Sequence, residues 1–120
     1  MKRILLVEDH VDIRRLVRLT LEFEDFEILE ASDAADGLEI ARRLRPDLVL
    51  LDVMMPGPIN GLDMCRAMKA DASTRHIPVI FLSARGTEAD RRNGMDAGAV
   101  AYLVKPFSPM ELLELLGRWV

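Results

Sequence analysis

Five polar residues stand out because each follows directly on a run of apolar ones. Glu8 and Asp9 come after Ile4–Val7, Asp52 after Leu48–Leu51, Ser83 after Val79–Leu82, and Lys105 after Ala101–Val104. Their chemistries complement one another. Carboxylates brought together repel, and desolvation adds to the cost of their charge. A hard divalent cation relieves both effects, and Mg²⁺ takes one or two carboxylates together with waters and phosphate oxygens. A lysine ammonium adds a point charge for a carboxylate or a phosphate oxygen, and a serine hydroxyl donates to another. Asp52 would then be a nucleophile toward a metal-held phosphoryl group, giving an acyl phosphate. Singly, these residues are ordinary. An acid after a strand is usually a turn or cap residue, so Asp9 or Asp12 would serve simply to cap the first helix. A lysine before proline is commonly a surface lysine. The chemical reading requires all five to meet in one place.

The elements that would bring them together are legible. Five short runs, Ile4–Val7, Glu27–Ala31, Leu48–Val53, Val79–Leu82 and Ala101–Val104, read as strands. The first, third and fourth are almost continuously apolar, as strands covered on both faces are. Between them, apolar residues recur at helical spacing: Ile13, Leu16, Val17 and Leu21, then Ala34 or Ala35, Leu38, Ala41 and Leu44 before Pro46. A third helix is expected over Leu62–Ala70 and a fourth from Thr87 to Gly98. Ser108-Pro109-Met110-Glu111 reads as a capping box with proline in the first turn of a fifth. Five alternations of strand and helix with short joins imply a parallel sheet with right-handed crossovers. Such sheets bind ligands beyond the carboxyl ends of their strands, where all five polar residues fall.

Composition narrows the classes. At 120 residues, half of them hydrophobic, the chain suits one folded domain spanning residues 1–120. With 16 basic and 20 acidic residues, a net charge of −4 and no Lys/Arg block, it is a poor candidate for binding nucleic acid by itself. The single cysteine, Cys65, cannot form an internal disulfide, which suits a reducing cytoplasm. No run approaches the ~20 apolar residues that cross a bilayer, and the N-terminus lacks a signal-peptide pattern.

The pieces ILLVEDH, LVLLDVMMP, VIFLSA and AGAVAYLVKPF, in that order and spacing, resemble the receiver domain of bacterial two-component response regulators along the whole chain. The resemblance implies a flavodoxin-like (βα)5 fold with strand order 2-1-3-4-5. It implies that Asp52 is the phosphoacceptor and that Mg²⁺, or Mn²⁺ in its stead, is held by Asp9, Glu8, Asp52 and the backbone carbonyl of Met54. Ser83 takes the place of a switch hydroxyl, Tyr102 that of a switch aromatic whose bland alternative is a half-buried strand tyrosine. Lys105 would pair with the acceptor and then the phosphate, and the Lys105–Pro106 bond would be cis. Small Ala84 would leave the site open to a donor. The implied partner is a sensor histidine kinase or a histidine phosphotransfer domain. Self-association would use the surface of the fourth helix, fifth strand and fifth helix. The protein would be a switch rather than an enzyme, catalysing only its own phosphorylation and slow dephosphorylation.

There are departures. The family loop D-x-x-M-P-x-M-x-G places glycine eight residues after the acceptor, whereas Gly61 lies nine after Asp52 and Pro58 is unusual, so the loop is expected to be shaped differently. Ala101 stands where an acid is common. Neither Met54 nor Arg85 is a water-activating residue, which points to a persistent phosphoryl group. His10 reads as a solvated or capping histidine, His76 as a loop residue, Cys65 as packing, Trp119 as an edge or contact residue, and Arg42-Arg43 and Arg91-Arg92 as solvated helix faces. Rival functions fare worse. A haloacid-dehalogenase-type phosphatase needs an acid where Met54 stands, and a flavin or nucleotide binder needs a phosphate-cradling loop where Glu8-Asp9-His10-Val11-Asp12 stands. A pseudo-receiver that only binds partners is the remaining alternative. No linker or output domain follows the last helix, so the chain reads as a free-standing receiver or a piece of a longer protein.

Overall fold

Burial on both faces forces the apolar runs into the middle of a sheet. In the computed structural model, which describes residues 1–120, the order is β1 (Arg3–Val7), α1 (Val11–Glu22), β2 (Glu27–Ala31), α2 (Ala34–Leu44), β3 (Leu48–Asp52), α3 (Gly61–Ala70), β4 (Val79–Ser83), α4 (Glu88–Asp96), β5 (Ala101–Val104) and α5 (Pro109–Leu116). All paired strands are parallel, in the order β2-β1-β3-β4-β5. This is the flavodoxin-like arrangement. Every residue of β3 and β4 is buried.

The two-residue period of each strand sorts its side chains into two cores. Ile4, Leu6, Leu48, Leu50, Ile80 and Leu82 meet Val17 and Leu21 of α1 and Leu112 and Leu116 of α5. Leu5, Val7, Val49, Leu51, Val79 and Phe81 meet Ala34 and Ala41 of α2, Met64 and Met68 of α3, and Tyr102. Cys65 is buried in this second core, its thiol donating to the Ala97 carbonyl at 3.4 Å, so it is a packing residue.

Side chains set most helix starts. Asp33 accepts from the Asp36 N–H at 2.8 Å. Asn60 with Asp63, and Ser108 with Glu111, form reciprocal capping boxes, the second with Pro109 in the first turn as expected. The first helix has His10 at its N-cap, one of the two readings of that residue, although its side chain makes no cap hydrogen bond, and neither Asp9 nor Asp12 caps it. Asp9 lies one residue too early and Asp12 already stands inside the first turn.

The third strand ends at Asp52, one residue sooner than its apolar run. The Val53 carbonyl accepts the Gly61 N–H at 2.9 Å and so leaves the sheet. The following loop, with its extra residue, runs outward, where Pro56, Gly57 and Pro58 are exposed and Gly57 takes φ +118°. Gly61 still sits against the acceptor strand, where a Cβ would lie 2.0 Å from the Asp52 carbonyl oxygen. Gly117 is different: its φ is −60° and a Cβ there meets only ordinary contacts at 3.5 Å. In urea unfolding, Gly61→Ala is therefore expected to lose about 3 kcal/mol or more, since the backbone must move. Gly117→Ala is expected to be neutral or to gain about 0.4–1 kcal/mol by restricting the unfolded chain.

Candidate functional site

Register places the polar residues. Val7 pairs with Leu51, so the next residues, Glu8 and Asp52, stand level at the ends of adjacent strands. Asp52 is level with Leu82, and Ser83 with Val104. The Lys105 N–H then donates to the Ser83 carbonyl at 2.7 Å, holding the chain to β4 for one more step. All five sequence-derived site residues thus stand at one sheet edge. Ser83 is the last residue of β4 rather than the first of the loop. Lys105–Pro106 is cis.

The centre is a shared cation. Lys105 Nζ hydrogen-bonds Glu8 Oε1 and lies 3.4 Å from Asp52 Oδ2. Glu8 is wholly buried and Asp52 is 5% exposed. One ammonium cannot neutralise two desolvated carboxylates, and the two acids divide it unequally. Burial, with the Glu8 charge beside it, pushes Asp52 up to about 6 against the pull of Lys105 and of the Met54 N–H, which donates to Asp52 Oδ1 at 3.3 Å. Burial also works to raise Glu8, but the hydrogen bond and charge of Lys105, aided by the His10 N–H, prevail and hold it below the ordinary range.

Asp9 and His10 complete the cluster. Asp9 Oδ1 is a buried oxygen without a hydrogen-bond partner. One ligand atom from each of Glu8, Asp9, His10 and Asp52 fits within a 4.8 Å span. Carboxylate oxygens massed this way, one of them without a donor, match the needs of a hard divalent cation. His10 is more engaged than its sequence context suggested. Its ring is 66% exposed, yet Nδ1 lies 3.2 Å from Glu8 Oε2 and 3.3 Å from Asp9 Oδ1. The Glu8 hydrogen bond, then the charges of Asp9 and Glu8, raise its pKa. A histidine beside two acids was visible in the sequence, but the turn that aims its ring at them was not.

A cleft of about 560 Å³ opens over Asp52, with Ser83, Ala84, Met54 and Lys105 near its polar end and Ile13, Leu16 and Phe107 along its apolar wall. Ser83 Oγ accepts the Arg85 N–H at 3.1 Å, which leaves its own proton free to be donated. Tyr102 is only 6% exposed, and its hydroxyl donates to the Arg85 carbonyl at 2.6 Å. Its ring packs against Phe81 at 6.1 Å between centroids, and the Arg91 guanidinium lies 5.9 Å from its centre. Tyr102 does not reach the acids; it is joined through the backbone of Arg85 to the hydroxyl of Ser83, which shares their cleft. The role of that backbone could not be read from the sequence, because it depends on no side chain.

Known proteins match this geometry. Residues 4–117 match the family model described as response regulator receiver domain. Over 112 residues, covering 93% of the chain, the sequence is 46% identical to the phosphate regulon transcriptional regulatory protein PhoB of Klebsiella pneumoniae, 48% of whose length is matched. The chain thus spans about half the length of the curated relatives it matches. Among solved structures, the chemotaxis protein CheY4 of Vibrio cholerae superposes with a TM-score of 0.92 at 31% identity, covering 100% of this chain and 99% of that one. The receiver domain of the sensor histidine kinase PA1611 of Pseudomonas aeruginosa, solved with magnesium coordinated in its active-site cleft, gives 0.91 at 32% identity, covering 98% and 96%. Sheet order, strand-end acids and family match together make this chain a member of the response-regulator receiver-domain family.

Proposed function

We propose that Asp52 accepts a phosphoryl group from the phosphohistidine of a sensor histidine kinase or a histidine phosphotransfer domain, and that this switches a partner-binding surface. The reading rests above all on one observation. A buried carboxylate raised to about 6 stands at the floor of an open cleft, with a lysine 3.4 Å away and further acids beside it. Asp9, Glu8, Asp52 and the Met54 carbonyl would hold Mg²⁺, or Mn²⁺ in its place. The bound ion would supply positive charge to the acids and to the phosphoryl oxygens. Asp52 would attack the donor phosphorus through a carboxylate oxygen, and the phosphohistidine nitrogen would leave. Lys105 would pair with the anionic product, and Ser83 would donate its free proton to it.

Self-dephosphorylation requires an oriented water. The side chains of Met54 and Arg85, which line the cleft, offer no carboxylate or amide for that purpose, which favours a long-lived phosphoryl group. Phosphorylation adds about two negative charges at the end of β3. The surface of α4, β5 and α5, reached through Arg85 and Tyr102, is where the change would be read, by a partner or a second copy. The domain is read as a cytoplasmic switch that regulates output without itself binding nucleic acid, in keeping with its charge of −4. No helix is long and apolar enough to cross a membrane.

Incubation with acetyl phosphate, followed by intact mass, is expected to give a phosphoryl adduct that requires Mg²⁺ and is absent from Asp52→Asn. No adduct from acetyl phosphate, and none from a phosphorylated histidine phosphotransfer domain, would instead support a partner-binding pseudo-receiver. The charge imbalance gives a second outcome. Asp52 binds its proton more tightly folded than unfolded, so its contribution to stability falls as pH rises from its ordinary 3.8 to about 6. Above that window its ionisation costs about 1–3 kcal/mol. In metal-free thermal unfolding, Asp52→Asn should therefore be more stable than the unaltered protein at neutral pH. The gain should shrink toward pH 4, and Mg²⁺ should narrow it.

A further inference from the structure

We infer that His10 is an additional ligand in the proposed cation site, so that this receiver accepts borderline divalent ions such as Ni²⁺, Co²⁺ or Zn²⁺ through one imidazole nitrogen as well as Mg²⁺ through oxygen alone. The inference rests on the metal-site reading of the preceding subsection and extends it to a residue of this chain. The geometry is already in place. Donors bound at about 2.0–2.2 Å to such an ion lie roughly 3.0 Å apart at right angles and roughly 3.4 Å apart in a tetrahedron. His10 Nδ1 stands 3.2 Å from Glu8 Oε2 and 3.3 Å from Asp9 Oδ1. Both distances from Nδ1 therefore match neighbouring corners of one coordination shell.

Two further observations point the same way. Asp9 Oδ1 is buried and accepts no hydrogen bond, its nearest polar neighbour being Nδ1 at 3.3 Å, so it has a lone pair to give to an ion. The ring is held by main chain as well: His10 is the N-cap of α1, and its N–H donates to Glu8 Oε2 at 3.2 Å. The ring makes no other hydrogen bond. Ion chemistry then separates two classes. Imidazole suits Zn²⁺, Ni²⁺ and Cu²⁺, whereas Mg²⁺ dehydrates reluctantly and keeps to oxygen. For Mg²⁺ the ring contributes nothing and must give up its contacts with the two acids; for Ni²⁺ it supplies a bond. His10 is thus a selectivity residue, and its ring sits on the wall of the cleft where the ion would be approached.

The chain has two histidines, and His76 lies in the turn before β4, at the opposite edge of the sheet, which makes it a control. Equilibrium titrations with Ni²⁺ and with Mg²⁺ would compare the unaltered protein with His10→Ala, His76→Ala and Asp9→Asn. Pulsed EPR of the Cu²⁺-loaded protein, an ion of the same imidazole-accepting class, would report directly on a bound imidazole nitrogen. His10→Ala is expected to weaken Ni²⁺ binding about 10–100-fold, to leave Mg²⁺ binding unchanged or tighter, and to abolish the nitrogen coupling. His76→Ala should change none of these. Equal Ni²⁺ affinity with and without the His10 ring, or a nitrogen coupling that survives its removal, would overturn the assignment while Asp9→Asn still weakened both ions. Failure of the unaltered protein to bind either ion, or indifference of both to Asp9→Asn, would remove the metal site itself and His10 with it.

Discussion

Everything at the functional edge depends on one lysine cation shared between two buried carboxylates. Glu8 and Asp52 are out of water and level with one another, so their repulsion is only weakly screened. Lys105 settles the matter for Glu8, which it binds more closely, and leaves Asp52 under-compensated. That inequality runs against strand order, which brings Lys105 nearer to Asp52, and comes instead from the lysine side chain reaching across to Glu8. Neighbouring parallel strands β1 and β3 deliver the two acids side by side, while Lys105 arrives at the end of β5, with β4 standing between it and Asp52. The surrounding cores hold the arrangement: Ile4–Val7 of β1 and every residue of β3 and β4 are enclosed. A loosely packed sheet would let the acids separate or hydrate, and the imbalance would vanish.

The fold was legible because its signals are local and redundant. Near-continuous apolar runs, a helical period between them and a capping box at Ser108 each say the same thing, and parallel order follows from alternation alone. The site was legible for a related reason: a strand end is a fixed place, so Glu8, Asp9, Asp52, Ser83 and Lys105 could be assigned to one edge from sequence. What escaped depends on directions that residue types do not encode. That His10 starts α1 and turns its Nδ1 onto two acids follows from the dihedral angles of one turn. That Arg85 joins Ser83 to Tyr102 follows from its peptide groups. The longer loop after Asp52 shows the converse. Its extra residue alters the spacing of Gly61, yet the glycine lies against the Asp52 carbonyl, a close approach that tolerates no side chain, and the loop between them turns at the exposed Gly57.

The same connections account for how a charge change at Asp52 would travel in the proposed switch. Arg85 uses both faces of its backbone: its N–H is satisfied by Ser83 Oγ and its carbonyl by the Tyr102 hydroxyl. A hydroxyl drawn toward a new anion on Asp52 would leave the Arg85 N–H without its acceptor. The loop would then gain by moving, and Tyr102 would lose the acceptor that now fixes its outer end. Each of these hydrogen bonds is worth about 1 kcal/mol net, which is small beside the interaction of a doubly charged phosphate with a hydroxyl and a lysine in a poorly screened cleft. In the proposed switch, the phosphate would thus outweigh the bonds that hold the present arrangement of the loop. The tyrosine ring lies between Phe81 and Gly94 of α4, the absent Cβ of the glycine letting helix and ring meet closely. Motion at Asp52 is thereby steered toward α4 and β5, the part of the surface on which a partner or a second copy would register it.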